Sequence, residues 1–398
     1  MPERLALEGT RVLDVSGRLG AYCTKLLADL GADVLKVEPP EGDRLRFVPP
    51  RRDGAAGPEA GLLFAYYHHN KRGITLAWQR DEAVPLLAAL AAQTDVVVAA
   101  PVGENRRLAG FVDAPPSLPW VRGDVLTCFV TPFGLTGPYR GWRATPFTAF
   151  AMSGAMHPVG PPEGPPVAMP GQQLYDEAGA WAAFVVQAVL RGPRHLRSQV
   201  IDLAVHEVAF FKQLGQDLFG VTGAIKSRQT NFGAPPSGIW QCIDGRVDVA
   251  VHAPGQWDTF VELVGRPPVL ADPIYRDRTM RVKLFDLLNE IVAGLLSTWR
   301  AADFVEAGQA AGLPCALAQT PGEFVLRQRS SVRRSLTTSC REVTGTFELP
   351  GAPYVASPPL IGFRRSAPRL GEHNEAVYVG ELGRSPDELQ RWRADGLI

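Results

Sequence analysis

Between Leu7 and Arg46 the spacing of apolar positions changes period twice. From Arg11 to Val15 apolar and polar residues alternate, the pattern of a strand. Gly17 and Gly20 punctuate a turn. From Tyr22 to Leu30 the apolar residues Leu26, Leu27 and Leu30 share one side of a helix that Gly31 ends. Val34–Val37 is a second strand, closed by Glu38, Pro39 and Pro40. Strand, helix and strand within about thirty residues make a βαβ unit with a parallel pair. The alternation recurs downstream. Ile74–Trp78 reads as a short strand and Asp81–Gln93 as a helix, with Pro85 tolerated in its first turn. Asp95–Ala99, Asp124–Val130 and Ser198–Ala204 read as strands, and Val205–Phe219 as a helix. The expectation for roughly the first two hundred residues is an open, mostly parallel α/β layer.

The character changes at Gly220–Pro236, a stretch punctuated by glycine and proline. Gly238–Val251 predicts a hairpin turning at Asp244 and Gly245. Trp257–Val264, Arg281–Leu296 and Ala301–Gly312 predict helices, and Leu313–Ala316 begins a strand, together a small α+β block. From about Pro321 the chain returns to Pro/Arg-rich extended segments, with hairpin character over Val343–Phe363. A last helix is expected over Ser385–Asp395.

Composition narrows the function classes. A chain of 398 residues suggests two or three domains with ample core. Lys+Arg and Asp+Glu balance at 41 each, so no basic excess points to nucleic acid or a membrane surface. No apolar run reaches a membrane span, and Met1–Leu7 carries charges where a signal peptide needs an apolar core. Cys23, Cys128, Cys242, Cys315 and Cys340 lie far apart, as expected of reduced thiols in a cytoplasm. The seven histidines form no ligand spacing, so no metal is expected.

Candidate chemistry centres on Gly171–Gly192, which begins polar and turns apolar and alanine-rich. Asp176 stands where a helix should begin. There it can cap free backbone N–H groups, or be an ionised carboxylate with a chemical role. In the first βα turn, Gly17 and Gly20 lack the leading glycine of the dinucleotide fingerprint. This argues against NAD, with Glu38 as the ribose partner that reading would need.

Five segments in order resemble the class III CoA-transferase family, the superfamily of formyl-CoA transferase, carnitine CoA-transferase and α-methylacyl-CoA racemase. They are Leu7–Arg46; Asn70-Lys71-Arg72; Phe133–Pro138; the Asp176 helix with Gln199–Asp202; and Ala367–His373. The resemblance implies a Rossmann-like large α/β domain built from both chain ends, 1–222 and 323–398, with a smaller α+β domain, 223–322, in between. It implies that two such chains interlock as a homodimer. It also implies a CoA-transferase acting between an acyl-CoA and a free carboxylic acid through covalent Asp176, with coenzyme A as substrate and no permanently bound cofactor. Family positions place CoA contacts at Arg18, Leu19, Asn70, Lys71, Arg72, Arg107 and Arg143. Lys36 and Arg46 read as structural.

This chain departs from the family pattern in two places. The glycine-rich run expected after the linker reads Asn231–Gly238, with only Gly233 and Gly238, which argues against formate or oxalate as the acid. The usual Gly-Tyr-Asp is replaced by Ala144–Phe147. The racemase branch would need a histidine near Thr145 and a glutamate near Ala253. His157 and His252 are the nearest substitutes. The competing readings are such a racemase, a catalytically silent CoA-binding subunit of a heteromer, and a nucleotide-binding protein unrelated to CoA.

Overall fold

A computed structural model describes residues 5–52, 54–102, 112–113, 116–161, 163–211, 233–330, 336–341 and 345–398. The chain divides into two compact units. One comprises Met1–Val159, Val167–Ile225 and Ser335–Ile398, and the other Gly160–Pro166 and Lys226–Arg334.

The larger unit is a mixed α/β fold around a parallel sheet. Its strands are β1 (Arg11–Val15), β2 (Asp33–Glu38), β3 (Arg72–Thr75) and β4 (Val96–Ala99), then a two-residue-per-strand hairpin of β5 (Val112–Asp113) and β6 (Pro116–Ser117), then β7 (Leu126–Thr131) and β8 (Val200–Ala204). The six-stranded sheet has the order β3-β2-β1-β4-β7-β8. Every neighbouring pair is parallel. This is the strand order of the doubly wound dinucleotide-binding fold, so the sheet reverses direction of growth at β1 and β4. Clefts for ligands open beyond the carboxyl ends of strands at such a point.

The period-2 pattern sorts each strand onto two faces. Val12, Val34, Val96, Val98 and Cys128 pack against Leu19, Cys23 and Leu27 of α1 (Gly17–Asp29) and Ala178 and Ala182 further on. Leu13, Leu35, Val97, Ala99 and Phe129 face the opposite layer, with Leu86, Leu87 and Leu90. Each fully buried Val or Leu of this kind contributes about 1.5–3 kcal/mol.

Strand β3 starts two residues before the expected Ile74 and stops at Thr75. Beyond it the Ala77 amide donates to Leu397 O at 2.7 Å, so the chain's last residues take over the pairing. The helix expected at Asp81–Gln93 is a 3₁₀ turn, Asp81–Ala83, followed by α3 (Val84–Ala91). Earlier in the chain, between β2 and β3, lies α2 (Leu62–His68), and after β7 come α4 (Pro146–Met152), α5 (Gln173–Arg191) and α6 (Val205–Phe211). The remainder of the helix expected to reach Phe219 lies outside the described residues.

The C-terminal segment closes this unit. His373 N donates to Gly73 O at 3.0 Å, and Tyr378 Oη to Thr75 O at 2.8 Å. The final helix, Pro386–Ala394, begins at Ser385 with a capping box to Glu388. The expected hairpin over Val343–Phe363 lies further upstream, as β12 (Leu336–Arg341) paired with β13 (Gly345–Pro350). Residues 351–363 hold no helix or strand.

The smaller unit carries a three-stranded antiparallel sheet in the order β11-β10-β9. Its strands are β9 (Gly238–Gln241), β10 (Arg246–Val249) and β11 (Cys315–Leu317). Helices Pro254–Leu263, Phe285–Leu296 and Ala301–Ala310 cover it, burying Trp257, Phe260, Leu288, Val292 and Phe304. The single helix expected over Arg281–Leu296 is broken at Leu284, where ψ reaches 29°. A helix at Pro321–Ser330 replaces the extended segment expected there. The cause is local: Glu323 accepts from Thr320 N at 2.7 Å and returns its own amide to Thr320 Oγ1 at 3.3 Å.

Among the described residues no helix is long and apolar enough to cross a membrane. Cys23, Cys128, Cys242 and Cys315 are free and buried.

Candidate active site

Helix α5 carries Asp176 in its first turn, but Asp176 is not the cap. Gln172 holds that position without a side-chain bond to the helix, and the Asp176 amide already donates to Gln172 O at 3.0 Å. The carboxylate is therefore not occupied by its own helix. Its Oδ1 accepts instead from Tyr67 Oη of α2 at 2.7 Å.

The close approach of α5 to α1 makes this contact possible. A Cβ at Gly179 would stand 2.8 Å from both the Cys23 amide nitrogen and Tyr22 Cβ. Only a residue without a side chain lets the two backbones meet there. One turn before that point, Asp176 is brought beside a buried aromatic and charged cluster. Tyr22 meets Tyr67 edge-on with centroids 6.3 Å apart, and Tyr66 lies 5.0 Å from Tyr67. The Lys25 ammonium sits 4.9 Å from the Tyr66 ring centroid and 5.8 Å from that of Tyr22. Lys25 also pairs with Asp29 at 2.6 Å, and Asp29 Oδ1 takes bonds from His69 Nε2 at 2.9 Å and Asn70 Nδ2 at 2.7 Å.

Burial pushes the Asp176 carboxyl up to about 6, against the Tyr67 hydrogen bond and the Arg18 and Lys25 charges, which pull it down. A helix start keeping this group firmly ionised was expected, and desolvation opposes it. Burial, and then the Asp176 charge, raises the Tyr67 phenol well above its ordinary value. Tyr67 is thus a protonated donor at neutral pH. Asp29 is also pushed up by burial, but His69 and Lys25 outweigh this and hold it below its usual value.

The sequence-predicted contacts separate into two groups. Arg18 is exposed, donates through Nε to Gln172 Oε1, and lies over the Tyr175 ring at 5.4 Å. The Leu19 side chain is buried in the core, so its backbone amide is what the first turn of α1 can offer. Arg143 is exposed. Arg107 lies outside the described residues. The Asn70-Lys71-Arg72 run is knit into the fold. Asn70, at φ 64°, ties Asp29 to Gly362 O and the Arg364 amide. Lys71 has no solvent exposure; its Nζ meets Thr24 Oγ1 at 2.6 Å, His68 Nδ1 at 3.0 Å, Asp14 Oδ2 at 3.1 Å and Ala21 O at 3.3 Å. Arg72 grips Asp33 with two bonds and also Glu381.

Glu38 cannot serve a ribose, because Arg46 holds it at 2.6 and 2.8 Å in full burial. Lys36 is likewise internal, paired with Asp43 at 3.0 Å. His157 and His252 are both exposed. Among the described residues no group of three or more His, Cys, Asp or Glu gathers as a metal site.

Sequence reasoning missed Tyr67, Tyr22 and Lys25. A signal was present: Tyr66 and Tyr67 directly precede the His68–Arg72 run. On the face of α5 bearing Gln173, Leu174 and Glu177, a cleft with a cavity volume of about 320 Å³ opens.

A parallel sheet of this order with a half-buried carboxylate at a helix start defines a mixed α/β protein with a candidate active site. Residues 7–374 match the description of CoA-transferase family III. The chain is similar to the formyl-CoA:oxalate CoA-transferase of Streptomyces avermitilis, 30% identical, covering 99% of each chain. It is also 30% identical to the succinyl-CoA–L-malate CoA-transferase beta subunit of Chloroflexus aurantiacus, over 99% of this chain and 98% of that one. A CAIB/BAIF family protein from Brucella suis shares the fold, with a TM-score of 0.78 at 22% identity, over 95% of this chain and 100% of that one. The chain belongs to CoA-transferase family III and is a class III CoA-transferase.

Proposed function

We propose that this enzyme moves CoA between an acyl-CoA and a free carboxylic acid through a covalent intermediate on Asp176. The observation that carries the reading is the Asp176 carboxylate itself: half-buried, uncommitted to its helix and held by one neutral phenol, Tyr67. Desolvation raises the basicity of a carboxylate, and with it the nucleophilicity.

Asp176 Oδ attacks the thioester carbonyl, and CoA thiolate leaves with the electron pair of the C–S bond, giving a mixed anhydride. The thiolate then attacks the Asp176 carbonyl and releases the first acid, leaving an aspartyl-CoA thioester. The incoming carboxylate attacks that thioester carbonyl and expels thiolate again. Thiolate attack on the new acyl group forms the product and frees Asp176. Backbone N–H groups can steady each developing oxyanion. Tyr67 orients the nucleophile and stabilises its charge between steps.

Arg18, Arg143 and the Leu19 amide are open to a CoA group. Asn70, Lys71 and Arg72 are tied to Asp29, Thr24 and Asp33, so their side-chain donors are already engaged. The reading includes Arg107 as a phosphate contact, an interlocked homodimer, a cytoplasmic setting, and no cofactor held permanently.

The test is intact-protein mass after incubation with a panel of acyl-CoAs, with hydroxylamine trapping, on wild type and Asp176→Ala. An adduct mapped to Asp176 and absent from the variant supports the reading. Turnover by Asp176→Ala at the wild-type rate would end it.

A further inference from the structure

The cleft beside Asp176 differs between its floor and its mouth. Phe150, Leu174 and Ala209 line it and are buried. No charged group is among those floor residues. At the mouth stand Arg18, which is exposed, and Glu177, which is partly buried. The mouth thus holds one cation and one anion, and the floor holds neither.

Resting on the aspartyl reading above, we propose that this cleft receives the body of the acid, and that the acid is a monocarboxylate with a bulky apolar tail. Formate carries a single C–H and oxalate none, so neither has an apolar body to bury against Phe150 and Leu174. A cavity of about 320 Å³ is far larger than either needs. Succinate and other short dicarboxylates would place a second carboxylate over the floor without a cation to pair it, where an unpaired charge is strongly disfavoured. A branched or phenyl-bearing chain fills the same space and removes apolar surface from water.

The geometry also sets the direction of the acid. Gln173, Leu174 and Glu177 flank Asp176 on the same two turns of α5, and Arg18 both lines the cleft and pulls on the Asp176 charge. An acid with its tail on the floor therefore presents its carboxylate toward Arg18, the lining residue whose charge reaches Asp176. From there its oxygen attacks the aspartyl-CoA carbonyl. A C–O bond forms, the C–S bond breaks, and CoA thiolate leaves with the electron pair.

The replacement of the usual Gly-Tyr-Asp by Ala144–Phe147 acquires a use in this arrangement. Thr145, Pro146 and Phe147 all line the cleft. They supply wall and no carboxylate.

The experiment measures transfer from one acyl-CoA donor to formate, oxalate, succinate, isovalerate and 3-phenylpropionate, with the Asp176 adduct followed by mass in the same reactions. Each buried methylene is worth about fourfold in kcat/KM, so 3-phenylpropionate should exceed formate and succinate by roughly a hundredfold or more. Phe150→Ala should cut that advantage about tenfold or more. Phe147→Ala and Met169→Ala, at exposed lining positions, repeat the test without a buried substitution and should cut it severalfold. An Asp176 adduct with equal or inverted preference among the acids overturns this inference and leaves the aspartyl mechanism standing. Transfer without any Asp176 adduct overturns the mechanism, and the inference with it.

Discussion

Removing the Tyr67 hydroxyl isolates the interaction that governs Asp176. Tyr67→Phe keeps the ring in its contacts with Tyr22 and Tyr66 and deletes only the donor 2.7 Å from Oδ1. A hydrogen bond to a charged group is worth about 1.5–3 kcal/mol, and one pKa unit is about 1.4 kcal/mol. The carboxyl, already pushed up to about 6 by burial, should therefore rise by roughly one to two units more. At pH 7 roughly nine-tenths of wild-type Asp176 is ionised; in the variant the share falls to roughly a half to a tenth. The rate of adduct formation from a saturating acyl-CoA should fall about twofold to tenfold at pH 7 and recover near pH 9. The assay is quenched-flow intact mass between pH 5 and 9.5. An acid limb that stays in place, or a loss equally large at every pH, would refute the assignment. Tyr22→Phe is the control, since its hydroxyl makes no hydrogen bond to Asp176 and its acid limb should stay within a few tenths of a unit.

Three further outcomes follow from the same geometry. Because its pKa is raised from 3.8 to about 6, Asp176 binds its proton more tightly in the folded state, so its contribution to stability falls as pH rises through that window. Asp176→Asn should be more stable than wild type at pH 8 by roughly 1–2 kcal/mol, allowing for the part of the carboxylate that faces solvent, with the gain gone below pH 4 in urea melts. Gly179→Val should cost about 1–3 kcal/mol and abolish the adduct, since its Cβ meets the α1 backbone at 2.8 Å; wild-type adduct formation would refute the packing argument. Lys71→Met should lower stability by about 3 kcal/mol, because it removes the nearer of two ammonium groups from buried Asp14, at 3.1 Å, and leaves Lys36 at 3.9 Å; a variant of unchanged stability with weakened CoA binding would instead make Lys71 a ligand.

Much of the fold was legible because the large unit repeats one simple signal. Strands β1, β2, β4 and β7 are buried on both faces, so their near-continuous apolar runs stand out from the helical spacing between them. The failures have separate causes. The Pro321–Ser330 helix was read as extended because proline and arginine dominated the composition, although Thr320 and Glu323 spell a capping box. The break at Leu284 leaves no such mark, since both halves keep helical spacing. The end of β3 was misplaced because its next partner, Leu397, comes from the far end of the chain.

The site shows a different limit. Asp176 could be singled out from its place at a helix start, but its partner Tyr67 lies 109 positions earlier, and no spacing rule connects the two. The Asn70-Lys71-Arg72 run shows the converse. Three polar residues beside an aromatic stretch look like ligand contacts in sequence, because a chain gives no sign of where its counter-charges are. The counter-charges Asp14, Asp29, Asp33 and Glu381 are distributed over β1, α1, β2 and the C-terminal segment. Folding brings them together, and the cations that seemed to wait for phosphates are consumed in fastening β3 between α1 and the chain's end. That fastening in turn fixes α2, and with it the Tyr67 hydroxyl that meets Asp176. On the proposed aspartyl reading, substituting the run should change how well Asp176 is held before it changes how CoA is bound.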